Sequence, residues 1–267
     1  MKNLGLWILF TFTLCGCTLS LDWFHQIRAK QAASRGDFET AIRILQRIRQ
    51  HDPDGPRAVT ASRLGARVAQ VEAKDYSSAV DFYKHLVLKS DDSAERKAAQ
   101  KNVAQIYFEN LQDYNQAVYE YERLLKLELS NDEAFRYRLN LAKCHFHLNN
   151  LEQADHEIDT ILTRKLEPDE IFDAKLLKAN VEVANKNLAG AAQSWEEILK
   201  EFPERSKREK VALNLVVVYE EMKDFGKAIE TLEHMRGDYP NPEFLDIRIS
   251  RLKERKTNQP GAQGLKR

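Results

Sequence analysis

The chain has 267 residues, 43% hydrophobic and 31% charged, a globular balance that excludes disorder along its whole length. Ten glycines and seven prolines are too few for the many turns of an all-β sandwich or barrel. Forty-one basic residues balance 41 acidic ones, so no nucleic-acid partner is expected, and three cysteines cannot build a disulfide framework or a four-cysteine zinc site.

The amino-terminal segment reads as an address. Lys2 precedes an apolar run of twelve, Leu4 to Cys15. A bilayer span needs about 20 such residues, so the run fits the apolar region of a secretory signal better than a transmembrane helix. It ends Leu14-Cys15-Gly16-Cys17, which resembles a bacterial lipobox. That resemblance implies lipidation of the Cys17 thiol, cleavage before it and N-acylation. Two or three acyl chains would anchor the protein stably. Thr18 after the cysteine, where retained lipoproteins carry Asp, implies the outer membrane, facing the periplasm. Residues 1–16 are thus expected to be a lipoprotein signal peptide and 17–23 a lipidated linker.

The remainder repeats. A polar pair, a bulky residue, two spacers and an alanine recur as GDFETA, KDYSSA, QDYNQA, NNLEQA, KNLAGA and KDFGKA. The alanines are Ala41, Ala79, Ala117, Ala154, Ala191 and Ala228, spaced 38, 38, 37, 37 and 37. Bulky residues follow each alanine at four and seven positions, for example Trp195 and Ile198 after Ala191. Positions zero, four and seven share one face of an α-helix. A second helical segment precedes each pattern, so each unit is predicted to be two helices joined by a tight turn. The small alanine would let neighbouring helices approach closely.

This pattern resembles the tetratricopeptide repeat family, over roughly residues 24–240, with a period longer than the usual 34 or so. The expected fold is all-α: a solenoid of about six tetratricopeptide-like helix-turn-helix units over 24–240. The first unit is the least regular, with Gln26–Arg35 polar. A capping helix is expected over 241–256, with Phe244, Leu245, Ile247, Ile249 and Leu252 among charges, and residues 257–267 read as a disordered tail.

Chemistry-bearing motifs are scarce. There is no Gly-rich phosphate loop and no nucleophile elbow. Cys144, His145 and His147 crowd one helical stretch, but successive helical residues diverge by about 100°, so no metal site is expected. Cys144 reads as a small buried hydrophobe. Glu196-Glu197 and Glu220-Glu221 read as solvated helix faces, and Asp91-Asp92 as a helix cap. The reading is therefore of a protein that is not an enzyme, with no cofactor, no metal and no small-molecule substrate.

In the tetratricopeptide family the first helices line a groove for peptides or partner helices. Carrying that register over places Asn102, Ile106 and Glu109 at the groove in the third unit. The fourth contributes Arg136, Leu139, Asn140, Lys143 and Phe146. The fifth contributes Leu176, Asn180 and Val183, and the sixth Lys210, Leu213, Asn214 and Val217. Asparagine can bond a peptide backbone through donor and acceptor together, and Lys and Arg attract carboxylates.

The expected function is a lipid-anchored periplasmic scaffold for protein–protein interaction in envelope complex assembly, with other envelope proteins or peptides as partners. Its length, lipobox, long repeats and the stretch RIRQHDPDGPRA resemble the lipoprotein subunit of the outer-membrane β-barrel assembly machine; lipidated pilus-assembly pilotins are similar too. The alternative reading is a peptidoglycan-associated or regulatory structural lipoprotein.

Overall fold

A computed structural model describes residues 24–237 and 239–259. The segments expected to be a signal peptide and lipidated linker, with Cys17, and most of the expected carboxy-terminal tail lie outside the described residues. Every regular element among the described residues is helical. The chain divides into two compact units, Met1–Glu128 and Leu129–Arg267.

In the first unit, α1 runs through residues 24–34 despite its polar sequence, seating Ala29 in the core. It is followed by α2 (Phe38–His51), α3 (Pro56–Arg67), α4 (Tyr76–Lys89), α5 (Ser93–Gln105) and α6 (Tyr114–Leu124). The second unit holds α7 (Asn131–His147), α8 (Leu151–Leu162), α9 (Pro168–Ala184) and α10 (Leu188–Glu201). A short α11 (Pro203–Arg208) precedes α12 (Val211–Glu221), α13 (Phe225–Met235) and α14 (Pro242–Thr257). Within each unit sequential helices from α2 to α6 and from α7 to α14 pack on one another, and the repeat alanines Ala41, Ala79, Ala117, Ala154, Ala191 and Ala228 are all fully buried.

The recurring polar pair has a separate job for each member. Its first residue takes left-handed backbone: Gly36 at φ 80°, and Lys74, Gln112, Asn149, Lys186 and Lys223 between 51° and 62°. That conformation ends the first helix of each hairpin. The second member caps the next helix. The carboxylates of Asp37, Asp75, Asp113 and Asp224 and the amide oxygen of Asn187 each accept the backbone N–H three residues on. Asn150 holds the same position without that bond. The bulky residue that follows, from Phe38 to Phe225, is the first residue of every second helix.

The two spacings also have a structural cause. Both 38-residue periods contain a π-helical turn, Val68–Ala73 after α3 and Ile106–Asn110 after α5. A π turn is a one-residue insertion into an α-helix. The backbone bond closing the hairpin turn shifts accordingly. In the 37-residue periods the capping residue donates to the carbonyl five residues back, as Asn150 to His145 at 2.8 Å and Asp224 to Tyr219 at 2.9 Å. In the 38-residue periods it donates six back, Asp75 to Ala69 at 2.8 Å and Asp113 to Tyr107 at 2.9 Å. Each extra residue is absorbed before the turn, so the second helices keep their register.

The first unit's core joins Leu45, Phe82, Val103 and Ile106 to the small residues Ala41, Ala61, Ala66 and Ala79. The second has two clusters. Phe135, Ile158 and Leu177 bind α7 to α8 and α9, and Phe172, Trp195, Leu232 and Leu245 hold α9 to α14 together. The α14 helix is fastened by charge as well: Arg248 and Arg255 donate to opposite oxygens of Glu220, at 2.7 Å and 3.0 Å.

Candidate partner-binding faces

In the second unit, Arg136, Asn140 and Lys143 follow one another at four and three residues on α7, so they share a helix face. Arg136 is exposed and pairs with Asp132 one turn earlier at 2.8 Å; Asn140 and Lys143 are half-buried. Phe146 is half-buried, packs on the α7–α9 core and meets His147 edge-on. Asn180 on α9 is half-buried between Leu176 and Val183, both of which lean on the neighbouring core. On α12, Asn214 and Val217 are exposed and Leu213 is partly buried. In the first unit Asn102 is half-buried on α5.

Asn140 and Asn214 stand fourteen residues before Ala154 and Ala228, and Asn102 fifteen before Ala117, the difference being the π insertion. Three of the asparagines therefore occupy equivalent places in their hairpins. Two residues expected at the groove are corrected by the structure. Ile106 is wholly buried and Leu139 nearly so, each belonging to the inter-helix core rather than to an open face. Apolar side chains on the seam between helices gain more from core burial than from a solvated face. Lys210 also departs from its register. It stands in a break before α12 with left-handed backbone, and its ammonium lies 5.8 Å from the centre of the Tyr239 ring.

The first unit contains a cleft that spacing alone did not mark. It has a volume of about 430 Å³ and lies between α1 and α3, with Leu45 and Leu64 beneath and Lys30, Arg63 and Arg67 at its edge. Arg63 is held by Glu95, Nε to Oε1 at 2.6 Å and Nη2 to Oε2 at 2.9 Å. These bonds and that of Ser90 hold the Glu95 carboxyl below its usual range.

Cys144 is completely buried, and the desolvation pushes its thiol up to about 12, so the nucleophilic thiolate is suppressed. Among the described residues no group of three or more His, Cys, Asp or Glu is placed to hold a metal ion. The paired acids have structural partners: Glu196 accepts from the Tyr219 hydroxyl, and Glu220 binds the two arginines of α14. Asp92 accepts the Ala94 N–H at 2.8 Å and caps α5. No described helix is long and apolar enough to cross a membrane.

The tetratricopeptide repeat family matches residues 104–157, from α5 to α8. The fold is that of tetratricopeptide repeats. Solved structures agree over most of the chain. A tetratricopeptide repeat protein from Parabacteroides merdae ATCC 43184 is similar with 17% identity and a TM-score of 0.53, covering 88% of each chain. PilW, a widely conserved type IV pilus biogenesis factor, is similar with 13% identity and a TM-score of 0.54, covering 86% of this chain and 98% of that one. Naa15/Naa10 bound to HypK-THB gives 16% identity and a TM-score of 0.63, over 86% of this chain and 34% of that one. A comparison with curated proteins finds no match. These likenesses establish the repeat fold.

Proposed function

We propose that this protein is a lipid-anchored scaffold of the bacterial envelope that holds a partner protein on the first-helix faces of its repeats. Cys17 carries the lipid, the repeats extend into the periplasm from the outer membrane, and the task is assembly of an envelope complex without catalysis. The observation that carries the reading is the recurrence of Asn102, Asn140 and Asn214 at one repeat position, with Lys143 and Asn180 on neighbouring faces. An amide that both donates and accepts suits a peptide backbone, and within the second unit Asn140, Asn180 and Asn214 each stand on the first helix of a hairpin. PilW, which shares the fold, is a pilus biogenesis factor, so pilus or secretion machinery stands beside outer-membrane protein assembly as the setting.

The test is photocrosslinking in intact cells, with a photoreactive residue at Asn140 or Asn180 and, for comparison, at Gln153 on the outer helix α8. A defined envelope protein should crosslink from Asn140 and Asn180 and not from Gln153. Equal labelling from all three positions would remove the groove from the proposal. Cys17→Ala should release the protein from the membrane fraction; unchanged fractionation would remove the anchor.

A further inference from the structure

The first helices α7 and α9 each run unbroken for 17 residues. The sixth is split into α11 and α12, with Glu209 and Lys210 between them. No glycine or proline lies between Glu204 and Glu221, so local sequence does not require the break. Lys210 adopts φ 55° there, a left-handed conformation that strains a residue with a Cβ. The hairpin-turn lysines adopt it to reverse the chain; Lys210 does so in the course of one helix. Strain at an otherwise regular position is a pointer to function.

The break stands at a cleft of about 650 Å³, formed by the end of α10, both pieces of the split helix and the end of α13. This lies within the roughly 300–1,000 Å³ range of pockets that enclose compact ligands. Its walls include Leu199, Leu215 and Met235, with Tyr239 beside Lys210. Lys207, Arg208 and Lys210 supply three cations within four residues, although the whole chain is charge-balanced. Glu204 also lines the cleft, while Glu209 is held by Arg205 Nε at 2.8 Å.

We infer that this cleft is a second docking site, apart from the first-helix faces, for an acidic segment of a partner protein. A bulky apolar side chain of that segment enters between Leu215 and Met235, and flanking carboxylates meet Lys207, Arg208 and Lys210. Lys207 and Arg208 are adjacent on a helix and diverge by about 100°. They suit carboxylates spaced along a chain better than one compact anion.

The experiment is fluorescence anisotropy with the full chain and a labelled short peptide of Asp and Glu flanking a central Trp-Leu. Controls replace either the acids by Asn and Gln or the Trp-Leu by Ser. The parent peptide should bind, both controls should bind at least about tenfold more weakly, and added salt should weaken the interaction. Arg208→Glu, and Lys210→Gly, which preserves the left-handed backbone, should each weaken it by about tenfold, whereas Lys165→Gln should not. Methyl resonances of Leu199, Leu215 and Met235 should shift on binding. Shifts confined to α7 and α9, or binding indifferent to the Arg208 and Lys210 variants, would overturn the assignment. Tighter binding of decanoate than of the peptide would give the cleft to a small amphiphile and overturn it equally. Because α7 and α9 are read separately, failure of the groove reading leaves this result standing.

Discussion

The guanidinium of Arg205 lies over the ring of Phe172, 4.0 Å from its centre, and so ties the short α11 to α9. Phe172 is fully buried, and the same guanidinium bonds Asp169 at 3.0 Å, Asp173, and Glu209 at 2.8 Å. Asp169 is 89% exposed, so its ion pair contributes little, and the gain comes from the ring contact and the less exposed pairs to Asp173 and Glu209. Arg205→Ala should cost about 1–2 kcal/mol in urea unfolding of the full chain. Arg205→Lys should recover little, because an ammonium cannot stack flat while bonding three carboxylates. Full recovery by Lys would show that charge alone matters at this position.

The left-handed turns give a prediction of the opposite sign. Lys223 spends conformational energy at φ 61°, and glycine reaches that region without a Cβ clash. Lys223→Gly should raise stability by about 0.5–1 kcal/mol after glycine's greater unfolded entropy is subtracted. Gly36→Ala tests the same physics in reverse. A Cβ on Gly36 meets nothing within 4 Å, yet φ is 80°. A loss of about 1 kcal/mol there, read by thermal unfolding, would be conformational rather than steric. No loss would remove the backbone explanation.

Gly65 illustrates close approach. It is buried on α3, and a Cβ there would stand 2.5 Å from Cζ of Phe82, itself fully buried on α4. Phe82 is also covered by Arg49, 5.1 Å from the ring centre, so the ring has little room to retreat. Gly65→Ala should therefore destabilise by about 1–3 kcal/mol despite alanine's better helix propensity. Adding Phe82→Leu should return part of that loss, giving a positive coupling in a double-mutant cycle. Strict additivity would exclude the contact as the cause.

The second helices were legible in sequence because one physical requirement recurs six times. The turn needs a residue tolerant of left-handed backbone, then a cap, then a bulky first residue, then an alanine small enough for close packing. The first helices were less legible. Ile106 and Leu139 belong to the core although helical register alone allowed them an open face. The 38-residue spacing was visible as a number, but its π turns leave no residue signature in VAQVEA or IYFEN. The split at Glu209–Lys210 was invisible because RSKREKVAL contains only residues that a helix accommodates. Tertiary packing, rather than local preference, decides such places.

Glu95 ties stability to pH with a defined sign. Its carboxylate receives two bonds from Arg63 and one from Ser90, linking α5 to α3 and to the preceding joint. The Arg63 bonds are the main reason its carboxyl titrates below the ordinary 4.5, with burial opposing them. As pH falls, the unfolded chain protonates this group before the folded one does. Its contribution is therefore fully present above 4.5 and is lost as pH falls from there through the folded value. Glu95→Gln should lower stability at neutral pH, and the variant and parent should converge as pH falls from 4.5 through the folded value, where the parent's side chain also becomes neutral. The readout is the urea midpoint as a function of pH. A gap that does not shrink at all as pH falls below 4.5, down to acid unfolding, would mean that Glu95 acts through packing and not through its charge.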